Sequence, residues 1–335
     1  MDANRTQTVV VKPPETPRRF VFLLLADYSL ISCTAAIDAL RIANRMSGHT
    51  LYSWHLMCEE HPATSSAQVA LMTDSGIEDV GRDDTILVCG GVNIQQASTD
   101  KTIAWLRHQA RLGVRMGGLC TAAYTLAKAG LLNGKRATTH WENHDSFLED
   151  FPEIELTKSV FVVDGNRYST AGGIASLDLM LHLIASDYGE ELAAAVADLM
   201  IYSAIRTDQD TQRLSIPTRI GVRHPKLSIV IKRMENNIEE PISPAALAKD
   251  VGMSTRQLER LFRRYLNRSP KRYYMALRLQ KARNLLMQTD MSVINVALAC
   301  GFASPSHFSK CYRAHYSITP YRERGTQGAL SPLAD

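Results

Sequence analysis

The sequence lacks the cysteine patterns that bind metals or build disulfide frameworks. Its six cysteines include no CxxC pair, and no group of His, Cys, Asp and Glu has metal-ligand spacing. We therefore expect reduced thiols, a cytoplasmic protein and no metal. The sequence also lacks an apolar run long enough to cross a bilayer and, at its start, the apolar core of a signal peptide. The stretch CGGV (89–92) lacks the glycine spacing of a phosphate-binding loop, and no cofactor is predicted.

Charge is unevenly distributed along the 335 residues. Residues 225–335 contain 18 Lys and Arg and 8 Asp and Glu, a net charge of +10. Residues 1–224 contain 20 basic and 26 acidic residues, a net charge of −6. A basic C-terminal part joined to a mildly acidic body is a pattern that DNA binding would explain.

Strand-like and helix-like segments alternate through the first two hundred residues. Apolar runs such as RFVFLLLA (19–26) predict buried strands, and amphipathic stretches such as 100–113 predict helices between them. This alternation predicts a parallel sheet covered by helices on both faces. The segment 160–173 instead places two strand-like runs around an Asp-Gly-Asn turn, which predicts a hairpin. After residue 228 the pattern is helical.

Composition divides the chain at a polar stretch rich in proline and glycine. Such a stretch is typical of a linker. The predicted parts are a flexible N-terminus (1–18), an α/β domain (19–205), a linker (206–225), an all-α domain (226–324) and a flexible tail (325–335).

An Ala-x3-Gly element occurs twice in the basic half, 49 residues apart. The copies are Ala248…Gly252 and Ala297…Gly301, and each precedes a serine that can cap a new helix. The small alanine lets two helices pack closely, and the glycine permits the positive φ of a sharp turn. In the helix that follows, apolar residues four apart form a buried seam and basic residues lie off it. This predicts two helix-turn-helix units.

Residues 228–324, including the run VINVALACGFASPSHFSKCYRAHYSITPYRER, resemble the DNA-binding domain of AraC/XylS-type transcription regulators. The resemblance implies recognition helices at 255–265 and 305–314, an activator, and RNA polymerase as a partner. It implies base contacts for three residues of each helix, namely Arg256, Gln257, Arg260, Ser306, His307 and Lys310. Phosphate contacts are expected from Arg263, Arg264, Arg268 and Arg313, with Ser304 capping the second helix.

Cys120 lies in the stretch GGLCTA (117–122), where small residues flank one central side chain. This spacing is typical of a strained strand-to-helix elbow that exposes its nucleophile, and the following helix would lower the pKa of the thiol. His140 is a candidate base. The pattern leaves three interpretations open: a buried structural thiol, a non-catalytic residue of a ligand pocket, or a working nucleophile.

Residues 19–200 resemble the PfpI-like branch of the class I glutamine amidotransferase-like superfamily, through LVCGG, GGLCTAAYTLAKAGLLNGKRATTHW and YSTAGGIASLDLMLHLI. The resemblance implies a flavodoxin-like α/β sensor domain. With the second domain, the order resembles GlxA-like regulators, some of which control catabolism of arginine, glycine betaine or carnitine. Enzymes of the branch place a carboxylate near the cysteine, and here Ser32 occupies that position.

The carboxyl edge of the predicted sheet supplies the candidate ligand pocket. Its members are Asp27, Tyr28, Ser29, Gly91, Val92, Cys120, Thr121, His140, Trp141 and Glu142. Trp141 beside Glu142 suits a quaternary ammonium, although Trp141 packed on the sheet is an equal alternative.

Together these features predict a homodimeric, ligand-responsive transcription regulator that is not an enzyme. The alternatives are a cysteine-dependent amidase, hydratase or hydrolase fused to a DNA-binding domain, and a first domain that only dimerises.

Overall fold

A computed structural model describes residues 9–325, which divide into two compact units with the boundary between Gln212 and Arg213. Residues 1–8 of the predicted flexible N-terminus and nearly all of the predicted tail lie outside the described residues. The described start of the chain is packed rather than free, because Val9 is buried and its N–H donates to the Met46 carbonyl at 2.9 Å. None of the described helices is long and apolar enough to cross a membrane.

The described part of the first unit contains a mixed sheet of six strands and two smaller sheets of two strands each. Its strands are β1 (Arg18–Leu24), β2 (Tyr52–Cys58), β3 (Ala63–Thr64), β4 (Ala70–Leu71), β5 (Thr85–Cys89), β6 (Arg115–Leu119), β7 (Arg136–Ala137), β8 (Glu155–Leu156), β9 (Phe161–Asp164) and β10 (Arg167–Thr170). The main sheet has the order β2-β1-β5-β6-β10-β9, and only β9 runs antiparallel to its neighbour. The two smaller sheets are β3-β4 and β7-β8. The predicted parallel sheet and the hairpin are both confirmed.

Helices cover both faces of this sheet. They are α1 (Leu30–Ser47), α2 (Ile94–Ala97), α3 (Asp100–Arg111), α4 (Ala123–Lys128), α5 (His144–Asp150), α6 (Ala175–Tyr188) and α7 (Glu190–Leu199), with single 3-10 turns at Cys120–Ala122 and Trp141–Asn143. The helix α7 ends at Leu199, because Ile201 adopts a positive φ of 55° and turns the chain.

Alternating side chains of β1 pack into two separate hydrophobic cores, one on each face of the sheet. Phe20 and Phe22 pack with α1 and α6 on one face, and Val21 and Leu23 pack with α3 and α4 on the other. All four side chains are fully buried. This explains why β1 is a continuous apolar run instead of an alternating one.

The second unit is all helical. Its helices are α8 (Ile216–Ile220), α9 (Pro225–Glu235), α10 (Pro244–Asp250), α11 (Thr255–Leu266), α12 (Pro270–Gln288), α13 (Val293–Ala299), α14 (Pro305–Tyr316) and α15 (Pro320–Gly325). The pairs α10–α11 and α13–α14 are the two predicted helix-turn-helix units. The predicted all-α fold is therefore confirmed, and α8 lies within the stretch that the sequence predicts as a linker.

The two helix-turn-helix turns have the same hydrogen bonds. Met253 donates to the Ala248 carbonyl, and Phe302 donates to the Ala297 carbonyl, each at 2.9 Å. Both alanines are buried. The repeat in the sequence thus corresponds to a repeat in backbone geometry.

The long helix α12 fixes the second of these units. The Arg278 side chain donates to the carbonyls of Cys300 (2.8 Å) and Gly301 (2.6 Å) and lies 4.1 Å from the Phe302 ring centre. Its pKa is lowered by burial. Arg278 therefore holds the turn between α13 and α14 against α12 and is a positioning residue.

Candidate functional sites

One face of α11 is basic and open. Arg256, Arg260 and Arg263 are exposed and follow one another at helical spacing, whereas Leu258 and Phe262 are fully buried on the opposite side. The three arginines line one shallow depression together with Ser254, Gln257 and Glu259. This surface has the charge and shape that a helix needs to enter the major groove of DNA.

The start of α11 is fixed by a reciprocal capping box. The Ser254 hydroxyl accepts from the Gln257 N–H at 3.2 Å, and the Gln257 Oε1 accepts from the Ser254 N–H at 2.8 Å. The cap predicted from the sequence is confirmed. The Gln257 oxygen therefore accepts one hydrogen bond within the helix, and its NH2 group is the part of the side chain not used in the capping box.

The second recognition helix, α14, presents a smaller polar face. Ser304 caps it by accepting from the His307 N–H at 3.3 Å. Ser306, His307, Lys310 and Arg313 are exposed. His307 Nε2 also lies 3.3 Å from the Cys311 Sγ, which holds the imidazole close to the helix.

Three strand ends meet at the carboxyl edge of the first unit's sheet. Leu24 of β1 pairs with Cys89 of β5, and Cys89 pairs with Leu119 of β6. The residues that follow these strands therefore lie together, as the sequence predicts. The Ser29 N–H donates to the Gly90 carbonyl at 2.9 Å, which joins two of the loops.

Cys120 lies in the elbow immediately after β6. Its φ of 63° is the left-handed conformation of a sharp turn. Its N–H donates to the Thr170 Oγ1 at 3.3 Å, and Gly172 packs so closely that a Cβ there would lie 2.6 Å from the thiol. The predicted strained elbow is present, but the hairpin covers it and Cys120 is only 8% exposed.

This burial changes the chemistry of the thiol. Burial raises the pKa of Cys120 to about 11, the charge of Glu142 adds to that rise, and hydrogen bonds from the Thr121 backbone and Ser29 oppose it. The sequence predicts a lowered pKa from the following helix, and that prediction is wrong. The thiol is protonated at neutral pH.

A serine pair occupies the position of the enzymes' carboxylate. The Ser32 hydroxyl donates to the Ser29 Oγ at 2.9 Å and accepts from the Gly173 N–H at 2.7 Å. Ser32 is fully buried. Neutral hydroxyls thus join α1 to the loop before α6, and they supply no charge that would orient a catalytic water.

His140 does not reach Cys120. Its Nδ1 accepts from the Glu142 N–H at 3.4 Å and lies 3.8 Å from that carboxylate, and its ring packs 5.6 Å from the Trp141 ring. Burial lowers its pKa. Within residues 9–325, no hydrogen bond or ion pair joins His140 to Cys120, so a catalytic pair is not assembled in this structure.

The remaining pocket candidates divide into lining and structural residues. Val92 and Trp141 are 43% and 39% exposed, whereas the ring of Tyr28 is fully buried in the core between α1 and the sheet. The Thr121 hydroxyl is committed to the Gly91 carbonyl at 2.7 Å. Tyr28 and Thr121 therefore contribute backbone, not free side chains, to the edge.

The Asp27 side chain lies at the same edge, where its carboxylate accepts from the Asn93 amide at 3.4 Å. Asp27, like Cys120, has a positive φ, here 54°. Gly91 packs against it, and a Cβ at Gly91 would lie 1.9 Å from the Asp27 carbonyl oxygen. The loop after β1, which contains Asp27, and the loop after β5, which contains Gly91, are too closely packed to accept a larger residue at position 91.

The comparisons with known proteins agree with both units. The DJ-1/PfpI family matches residues 18–186, and a helix-turn-helix domain family matches residues 247–325. The transcriptional regulator GbdR of Pseudomonas aeruginosa is 44% identical over 96% of this chain and 88% of its own length. The regulator GlxA of Rhizobium meliloti is 35% identical over 93% of this chain and 97% of its own. The chain belongs to the GlxA-like family of AraC-type transcription regulators.

This GlxA-like regulator is a DNA-binding protein, so the predicted family and the predicted role as a DNA-binding transcription regulator are confirmed. Its first unit is also related to an enzyme. Isonitrile hydratase of Pseudomonas putida is 32% identical over 52% of this chain and 74% of its own length. The relatives that match nearly the whole chain are regulators, whereas the hydratase matches about half of it.

Sequence reasoning missed the residues that cover the elbow. Thr170 bonds the Cys120 N–H, and Gly172 and Gly173 approach Cys120 and Ser32. The motif YSTAGG contains all three, and its adjacent glycines, both with positive φ, were the available signal. A glycine pair after a strand indicates that another part of the chain packs closely against its backbone, but the sequence does not identify which residue does so.

Proposed function

We propose that this regulator binds promoter DNA as a homodimer and activates transcription when its first unit binds a small nitrogenous metabolite at the Cys120 edge. The proposal is supported mainly by the elbow itself, which has the position of a ligand site but contains a protonated thiol and has Ser32 where the related enzymes have a carboxylate. Such a site suits binding more than catalysis. Promoter binding assigns the protein to the cytoplasm, with RNA polymerase as its partner.

The charge at this edge favours a cationic or zwitterionic ligand. The carboxylate of Glu142 is close enough to contribute to the raised pKa of Cys120, and it is half exposed. The adjacent Trp141 ring is partly exposed. A carboxylate beside an aromatic face attracts quaternary ammonium and guanidinium groups. Glycine betaine, carnitine and arginine carry these groups.

A footprint on the DNA upstream of the neighbouring genes tests the proposal. We expect two protected half-sites that each span two successive major grooves, because each chain of the homodimer carries two recognition helices. Protection should weaken as salt rises. It should change with one of glycine betaine, carnitine or arginine, because a ligand shifts an equilibrium only through unequal affinity for two states. Protection that is the same with all three would reject these ligand classes, and no protection at low or high salt would reject promoter binding.

The alternative function is cysteine-dependent catalysis, which the relationship to isonitrile hydratase favours. It requires a thiolate at neutral pH. We expect the iodoacetamide reaction of Cys120 to accelerate about tenfold per pH unit up to pH 9 without a plateau, since its pKa is raised to about 11. Mass spectrometry of the Cys120 peptide measures the rate, and the partly exposed Cys311 serves as the internal reference.

A rate plateau below pH 8.5 would instead identify a working nucleophile. Cys120→Ser separates the two functions further, because a sensor keeps its operator binding without the thiol. Loss of a hydratase or amidase activity in that variant, with operator binding unchanged, would establish the enzyme.

A further inference from the structure

Residues 206–212, here called the exit segment, are the last residues of the first unit and lead directly into the second. They do not leave the first unit freely. Asp178 of α6 is fully buried and accepts from the Arg206 N–H at 3.0 Å, its Nε at 2.9 Å and its Nη2 at 2.6 Å. The Tyr202 hydroxyl donates to the same carboxylate at 2.8 Å. This carboxylate holds the beginning of the exit segment.

The end of the exit segment pairs with the chain before β9. The Val160 N–H donates to the Asp210 carbonyl at 2.9 Å, and the Gln212 N–H donates to the Lys158 carbonyl at 3.1 Å. Between these bonds, Ser159 and Thr211 form an antiparallel bridge. The end of the exit segment is therefore docked through one isolated antiparallel bridge and its two flanking hydrogen bonds.

The side chain of Gln212 adds a third attachment. Its Nε2 lies within hydrogen-bond distance of the Thr138 Oγ1 (2.8 Å), the Thr139 carbonyl (2.9 Å) and the Ser159 carbonyl (3.1 Å), so its two hydrogens are shared among three acceptors. Its Oε1 is buried and has no hydrogen-bond partner among the described residues. The Gln212 side chain thus joins the end of the exit segment to residues 138, 139 and 159.

Thr139 connects this attachment to the candidate pocket. Its carbonyl accepts from Gln212, and its hydroxyl donates to the Cys120 carbonyl at 3.4 Å. The next residue is His140, which begins the loop with Trp141 and Glu142. A single buried residue therefore contacts both the elbow and the exit segment.

We propose that Gln212 couples the pocket to the DNA-binding unit: a ligand at the Cys120 edge moves Thr139 and thereby changes how firmly the exit segment docks. The inference rests on the proposed function, because it needs a ligand at that edge. It assigns Gln212 as a positioning residue and the docked segment as the two-state element that allostery requires.

The test uses the full chain without added ligand. Gln212→Ala should raise hydrogen exchange of the Val160 amide at least tenfold and change operator affinity at least fivefold, with the first unit's thermal midpoint near that of the unmodified protein. Gln209→Ala is the matched control, because the exposed side-chain amide of Gln209 bonds only to the neighbouring Asp208 among the described residues. It should leave both quantities within twofold.

A disulfide supplies the rescue. Bridged antiparallel residues have the Cα separation that a disulfide needs. Ser159→Cys with Thr211→Cys should therefore lock the segment under oxidation. Added to Gln212→Ala, the lock should return operator affinity to within twofold of the unmodified protein, and a reductant should reverse the rescue.

The outcomes separate this inference from the proposed function. If the unmodified protein gave no footprint, both the proposed function and the proposed coupling through Gln212 would be overturned. A normal footprint would overturn only the coupling in either of two cases: if Gln212→Ala left exchange unchanged, or if it raised exchange while operator affinity stayed within twofold.

Discussion

Replacing Gly301 with alanine is expected to destabilise the second unit by about 3 kcal/mol and to abolish operator binding near its lowered melting temperature. A Cβ there would lie 2.6 and 2.7 Å from the carbonyl oxygens of Glu239 and Ile238, and the residue has a φ of 72°. The left-handed conformation costs about 1 kcal/mol for alanine, and overpacking against fixed backbone adds about 1–3 kcal/mol. The unfolding midpoint of the second unit should fall by roughly 12 °C.

The chain contains its own control for this prediction. Gly252 occupies the same place in the first turn and has a φ of 61°, but no atom lies within 4 Å of its would-be Cβ. Gly252→Ala should therefore cost only about 1 kcal/mol. Equal shifts for the two variants, measured by calorimetry, would mean that the contact with residues 238 and 239 does not constrain the turn.

Replacing Arg260 with alanine is expected to lower operator affinity between about fivefold and 150-fold. Its guanidinium is exposed at the centre of the basic face of α11. An arginine that reads a base contributes about 1–3 kcal/mol, and its loss relaxes the preference at one base pair. Fluorescence anisotropy with the footprinted DNA and with single-base variants of it measures both effects.

Lys232→Ala is the charge-matched control, because Lys232 is exposed on α9, outside both recognition helices. It should weaken binding less than threefold. Arg263→Ala should weaken binding to all sequences similarly and reduce the salt slope by about one, as expected of a phosphate contact. If the Arg260→Ala variant had unchanged operator affinity, Arg260 would not be part of the DNA interface.

The fold was predictable because its signals are periodic. The apolar run of β1, the amphipathic α3 and the duplicated Ala-x3-Gly turn all follow from local spacing. The helix caps at Ser254 and Ser304 also follow from sequence, since each lies three residues before the N–H that it accepts.

The site was predictable only in outline. The strand ends placed Asp27, Gly91 and Cys120 at one edge, but Ser32 binds Gly173 across 141 residues, and that contact has no local signature. Docking of the exit segment depends on side-chain bonds to backbone, which leave no period in the sequence. The pKa of Cys120 depends on burial under the hairpin, and it rose where the local motif alone predicts that it falls.

If the first unit binds a metabolite as proposed, the protonated Cys120 thiol leaves that metabolite chemically intact. In the proposed function, occupancy would then follow the metabolite's concentration and reverse as the concentration falls. A receptor that consumed its own signal would instead report the rate at which that signal is supplied. If the proposed function holds, burial of the Cys120 sulfur under Gly172 would let the first unit report the metabolite's concentration at each moment.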